Sequence, residues 1–248
     1  MLLEELSFAE VEAYLEQKDS LLIPVGAVEQ HSPYGLIGTD FIAAEAVARG
    51  AARELAIMVA PTLCYGISPQ HLDFAGSASL QPTTLIALGC DLLRSFVRHG
   101  FRRIFFVNGH GGNRHALGVV LQQVKMEGLP GIFEIFSWYE CSGVKRFNLR
   151  DFAGKEGRHA TPSEVSLTMH LRPTAFAGKA REPLEVEHPE RSWPMSAAEM
   201  RRSYPDGRME SAPWLAHPEI GEQILAEAVT DLVRKVERFL EMPLISPG

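Results

Sequence analysis

Four short apolar runs, separated by stretches with helical spacing, leave this chain little choice but a sheet built from β-α-β units. The runs are Leu21–Val25, Ile57–Leu63, Arg103–Val107 and Gly131–Ser137. Asp40–Leu55, Pro82–His99 and Asn113–Glu127 lie between them and read as helices; in the second, Leu85, Leu88, Leu92, Leu93 and Phe96 recur three and four residues apart. Arg103–Val107 shows no polar alternation, as expected of a strand covered on both faces. Strand and helix in such regular succession imply one α/β domain over residues 1–248 with a largely parallel central sheet.

The flanking segments add detail. Ser7 and Glu10 form a capping-box pattern that starts a helix at Phe8, running to about Lys18. Thr39 or Asp40 can cap the helix that follows the first strand. Gly66–Leu80 reads as a loop with a short extended piece around Ala78–Leu80. Past Ser137 the alternation weakens: Thr161-Pro162-Ser163-Glu164 opens a helix to about Leu171, and Pro218–Glu241 is a long amphipathic helix. Residues 172–217 carry six prolines and no clear periodicity, a length of irregular chain that implies a functional role or burial in an oligomer.

Composition narrows the function classes. The formal net charge of −7 argues against a nucleic-acid binder that works by neutralising phosphates. Cys64, Cys90 and Cys141 are widely spaced without a CxxC pair, so neither a disulfide framework nor a zinc ribbon is expected. The acidic start Met1-Leu2-Leu3-Glu4-Glu5 lacks a signal peptide's basic flank, and no apolar run is long enough to cross a bilayer. The expectation is a cytoplasmic enzyme with no membrane partner.

Two of the predicted strands end in metal-binding side chains. Leu21–Val25 leads into Glu29-Gln30-His31, with Asp40 closing that segment; Ile104–Val107 leads into Asn108-Gly109-His110-Gly111-Gly112-Asn113. Ligands of parallel α/β sheets bind outside the carboxyl ends of the strands, so Glu29, His31, Asp40 and His110 are expected in one crevice. Taken singly, Asp40 reads as a helix cap, His31 as a loop histidine and Glu164 as half of the Thr161–Glu164 capping box. His159, just before that helix, is a candidate proton carrier because imidazole titrates near neutrality. His71, in the polar loop Ser68-Pro69-Gln70-His71, is a candidate for substrate contact. The glycine cluster after Asn108 also suggests a phosphate-cradling nucleotide module, but a dinucleotide fingerprint would need glycine where Arg114 stands.

In order and spacing these motifs resemble the creatininase (creatinine amidohydrolase) family. The matching segments are Gly26-Ala27-Val28-Glu29-Gln30-His31 ending in Thr39-Asp40, then Asn108-Gly109-His110-Gly111-Gly112-Asn113, then His159 with Glu164-Val165-Ser166. The resemblance implies a three-layer α/β/α sandwich and a hydrolase with two divalent ions per chain, usually zinc or manganese, sometimes iron. Carried over by position, Glu29, Asp40 and His110 would hold one ion, and His31, the bridging Asp40 and a further carboxylate the other. In creatininase proper that carboxylate lies two residues after the motif histidine, where Gly112 stands here, and Glu164 is expected to replace it. A hydroxide shared by the two ions would attack an amide carbon, with His159 protonating the departing nitrogen.

Substrate contacts are expected at His71, Gly111 and Tyr139. Creatininase encloses its substrate with tryptophans, whereas Tyr139 and Lys155 stand near those positions here. The leading expectation is therefore a small cyclic amide or formamide. The alternative is a peptidase-like relative acting on a short peptide precursor. The family also implies a homo-oligomer, with hexamers as precedent.

Overall fold

Four parallel strands form the sheet in the computed structural model, which describes residues 1–184 and 193–244. They are β1 (Ser20–Val25), β2 (Met58–Val59), β3 (Arg103–Asn108) and β4 (Ile132–Ser137), side by side in the order β2-β1-β3-β4. Val25 pairs with Asn108 and Asn108 with Ser137, so three strands stop at one level and release their loops along one edge.

The pleat of β1 and β3 feeds two cores. Leu22, Phe105, Val107 and Phe136 face a layer of α2 (Thr39–Leu55), α5 (Ser142–Asp151), α6 (Pro162–Leu171) and α8 (Pro218–Leu240). Leu21, Ile23, Ile104 and Phe106 face α1 (Phe8–Leu15), α3 (Pro82–His99) and α4 (Arg114–Met126). The result is a three-layer α/β/α sandwich. α8 lies so close to α6 that a Cβ at Gly221 would meet the Ser166 carbonyl oxygen at 2.0 Å.

Several elements differ from the sequence expectation. α1 stops at Leu15, short of Lys18. The run Ile57–Leu63 pairs only at Met58 and Val59, with Leu63 making an isolated bridge to Val25; Pro61 between them has no N–H to continue the ladder. α5 was not anticipated. The segment 172–217 contains α7 (Ala197–Ser203), opened by a Ser196–Glu199 capping box, and short 3-10 turns at Pro173–Phe176 and Pro213–Leu215. Its Pro189 lies outside the described residues. Met209 of this segment bridges His159, and Met200 and Tyr204 pack on Phe74, so the segment folds over the loops at the strand ends. No helix among the described residues is long and apolar enough to cross a membrane.

Candidate metal centre

β1 lies between β2 and β3: the connection from β1 to β2, α2, covers one face of the sheet, and the connection from β2 back across to β3, α3, covers the other. Such a reversal opens a crevice at the carboxyl ends of the strands. The loop after β1 delivers Glu29 and His31 there, the first turn of α2 delivers Asp40, and the exit of β3 delivers His110. Asp40 is not the cap of its helix: Gly38 holds that position, and Asp40 sits inside the first turn. A Cβ at Gly109 would lie 2.1 Å from the Asp40 carbonyl oxygen, so glycine is what allows β3 to release His110 directly against α2.

The ligand atoms group into three triads among the described residues: Glu29, His31 and His159 form one, and the other two share Asp40. His110 Nδ1 is 3.2 Å from both Glu29 Oε1 and Asp40 Oδ2. His31 Nε2 is 3.3 Å from Asp40 Oδ1 and 4.0 Å from Glu164 Oε2. Glu29, Asp40 and His110 thus converge on one point, and His31, Asp40 and Glu164 on another. Glu164 also completes its capping box, receiving the Thr161 N–H at 2.7 Å, so its structural role and its place beside His31 coexist.

These side chains are buried without full partnership. Glu29, His31 and Asp40 are each no more than 2% exposed. Glu29 Oε2, His31 Nε2 and Asp40 Oδ2 have no hydrogen-bond partner. Burying unpaired charged or polar atoms is costly unless something compensates them. Oxygen and imidazole donors around an acidic centre suit zinc or manganese. The residues present therefore fit a pair of divalent cations.

Backbone carbonyls fix the ring tautomers, because an oxygen that can only accept requires N–H opposite it. His110 Nε2 lies 2.8 Å from the Ile67 carbonyl and His31 Nδ1 lies 3.2 Å from the Glu29 carbonyl. In the singly protonated rings that a cation requires, the lone pairs of His110 Nδ1 and His31 Nε2 consequently point into the cluster, as the outer partners of metal-bound histidines commonly arrange. His159 Nε2 faces the Gln30 carbonyl at 2.6 Å, leaving its Nδ1 3.5 Å from Glu29 Oε1. The Gln30 amide donates to the Gly207 carbonyl and lies 3.0 Å from His71 Nδ1, which turns His71 Nε2 toward Glu29 Oε2 at 3.7 Å.

Electrostatics divides the histidines into two kinds. Burial opposes a charge on His31, yet Asp40 and Glu164 outweigh it and lift its pKa to about 9. Burial likewise opposes charge on His110, but Glu29 and Asp40 raise it well above the usual imidazole value. Burial, reinforced by His71 and His31, holds His159 well below that value, so His159 is neutral. Burial pushes Glu164 up to about 7 against the pull of His31. The three carboxylates draw positive charge to the positions of His31 and His110.

A cavity of about 520 Å³ opens onto the cluster, with Glu29, His110, His159 and Glu164 in its floor. His71 and Gly111 also line it, but Tyr139 does not. The Tyr139 hydroxyl instead accepts from the Asn108 amide at 3.2 Å, which helps hold the loop carrying His110. Trp138, next to it, is fully buried in the core. Sequence reasoning missed the apolar part of the lining, made of Trp193, Pro194, Met195 and Met209, and it missed the exposed Arg158. It gave no role to Gln30 and read Asn113 only as the start of a helix, whereas the Asn113 amide ties Ile67 N–H to the Gly26 carbonyl. Gln30 stands between the two ligand residues, a placement that could have marked it.

The family model for creatininase (creatinine amidohydrolase) matches residues 4–236. The chain is 31% identical over 243 residues to a mycofactocin precursor peptide peptidase of Mycobacterium tuberculosis, covering 90% of this chain and 87% of that protein. It is 27% identical over 252 residues to a creatinine amidohydrolase of Pseudomonas putida, covering 93% and 95%. Among solved structures, a creatininase variant complexed with creatine superposes with a TM-score of 0.81 at 25% identity, over 97% of this chain and 99% of that one. A manganese creatininase gives 0.80 at 26% identity, over the same shares. With the fold, the motif order and the family model in agreement, the chain belongs to the creatininase family of hydrolases.

Proposed function

We propose that this protein is a dinuclear-metal amidohydrolase. Glu29, Asp40 and His110 would hold one cation, and His31, Asp40 and Glu164 the other. The observation that carries the reading is the pair of triads sharing Asp40, buried except for the partly exposed Glu164, with Glu29, His31 and Asp40 each holding one atom without a hydrogen-bond partner. When bound, the cations would acidify a water and polarise the scissile carbonyl.

The rest of the chemistry falls to the chain. Neutral His159 offers a bare Nδ1 at the cavity floor and is tethered through Nε2 to the Gln30 carbonyl. It can take a proton from the attacking water at Nδ1 and pass it to the leaving nitrogen. His71 braces Glu29, and Gln30 holds both imidazoles in register, so the proton carrier cannot swing away from the floor. The covering segment, with Met209 bridged to His159, limits water in the cavity.

Gly112 supports Glu164 as the fifth ligand. A Cβ there would lie 2.2 Å from the Ile67 carbonyl oxygen and 2.5 Å from His110 Nε2, so no carboxylate can grow from that position without displacing His110. Glu164 reaches the same neighbourhood from the opposite side, on α6.

A cavity of about 520 Å³ suits a small amide or formamide. A short peptide is the second reading, favoured by the 31% identity to proteins that act on a peptide precursor. The test is to strip the protein with chelator, reload it with zinc or manganese, and offer creatinine, a formamidopyrimidine and short peptides. Turnover of at least one amide that vanishes on stripping and returns on reloading is expected. Equal turnover before and after stripping would refute the assignment.

A further inference from the structure

The cavity has one fixed cation among its described lining residues, and neither the metal triads nor the proton carrier explains it. Arg158 stands at the mouth, directly before His159 in the chain. Its backbone is held firmly: its N–H donates to the Met209 carbonyl at 2.8 Å, and His159 beside it forms an antiparallel bridge with Met209. Gly157 before it takes a φ of +67°, where a Cβ would meet Ser211 N at 2.4 Å. The root of the side chain is thus fixed while its guanidinium is not. Its nearest carboxylate among the described residues, Glu210, is 3.9 Å away, with the two side chains 68% and 51% exposed. A pair that loose and that wet contributes little and leaves the guanidinium's donors available.

Part of the same lining is apolar and aromatic: Trp193, 57% exposed, with Pro194 and Met195, and the buried Ile67 and Met209. A guanidinium fork and an exposed indole lining one cavity match a ligand with a carboxylate at one end and an apolar body beside it. A neutral substrate would leave the fork without a partner. A carboxylate-bearing substrate would be drawn in and oriented with its amide toward the floor.

We infer that the substrate is an anionic amide, whose carboxylate Arg158 pairs at the cavity mouth while its apolar part lies along Trp193 and Met195. This rests on the amidohydrolase reading for the reaction but on Arg158 alone for the charge. The class includes N-acylated amino acids and the carboxyl-terminal end of a short peptide. It disfavours an uncharged cyclic amide such as creatinine. Hydrolysis of such a compound adds water across the C–N bond, giving a second carboxylate and an amine, with no other reactant.

A matched pair of probes tests it: N-acetylphenylalanine, which is anionic, and N-acetylphenylalaninamide, which is neutral. Steady-state acetate release on the metal-loaded protein gives kcat and KM for each, and ligand-observed NMR gives binding without turnover. The wild type is expected to favour the acid roughly tenfold or more, mainly through KM. Arg158→Ala removes that preference, Arg158→Lys keeps part of it, and Arg146→Ala on the outer face of α5 leaves it intact. Absence of an acid preference in both assays, or a preference that survives Arg158→Ala, overturns the inference. If neither probe is hydrolysed yet the acid still binds more tightly through Arg158, the inference on charge stands, and the amidohydrolase reading is decided separately by the metal-stripping assay. No binding of either probe overturns it.

Discussion

Replacing Gly112 with alanine isolates the geometry that orients His110. The new Cβ would lie 2.2 Å from the Ile67 carbonyl oxygen, about 1 Å inside ordinary contact. That oxygen receives the Nε2–H of His110, and the same Cβ would stand 2.5 Å from Nε2. Relief requires the carbonyl and the imidazole to part, which breaks their hydrogen bond and turns Nδ1 away from Glu29 and Asp40. Leaving a buried donor unsatisfied costs about 1–3 kcal/mol. Losing the outer partner of a metal-bound histidine typically lowers metal affinity about 10–100-fold. Gly111→Ala is the control, because a Cβ there meets nothing closer than the Tyr139 hydroxyl at 3.9 Å. Chelator-competition titration with zinc, read beside thermal unfolding, should show weakened binding and lowered stability for Gly112→Ala and neither for Gly111→Ala. If the two variants bind zinc as the wild type does, the tautomer and close-packing argument is wrong.

Asp40→Ala should abolish binding of both cations, whereas Glu164→Gln should spare the one held by Glu29, Asp40 and His110; metal content after dialysis distinguishes these outcomes. Cation binding should release protons, because His31, raised to about 9, and His110, raised well above the usual imidazole value by Glu29 and Asp40 despite burial, both carry a second proton at pH 7. Calorimetry in two buffers of different ionisation heat should find about two protons per chain at pH 7, with affinity falling as pH drops; no release would contradict the cluster's electrostatics. Away from the site, the Tyr14 hydroxyl donates to the Ser20 carbonyl and accepts the Met58 N–H, so Tyr14→Phe should cost about 1–3 kcal/mol in denaturant unfolding. Burial raises that phenol from 10.0 to about 12, so its contribution is whole below pH 10 and declines between pH 10 and about 12. The variant should lose that decline.

How much of this could be read from residues alone depended on whether the signal was local. β1 and β3 were legible because their apolar runs are uninterrupted and end in Glu29-Gln30-His31 and His110, and the sheet places both ends in one crevice. β2 was over-read because an apolar run does not say how many residues find a partner; Pro61 limits it to two. α5 escaped because it buries only Gly143, Val144 and Phe147 among polar residues, too few for a periodic signal. The Ser196–Glu199 box of α7 was visible but drowned by prolines on both sides. Arg158, Trp193 and Met209 were invisible as a group, since 172–217 reaches the site by folding back over it and no spacing announces such a return. Tyr139 was expected at the substrate, and its hydroxyl is instead on Asn108, a contact set by β3 and β4 ending at the same level.

Crystals soaked in zinc, with anomalous diffraction recorded at the zinc edge, put the shared-carboxylate arrangement to the most direct test. Two peaks per chain are predicted, one against Glu29 and His110, the other against His31 and Glu164, with the Asp40 carboxylate between them. A single peak, or peaks that leave Asp40 without a metal, would contradict the arrangement.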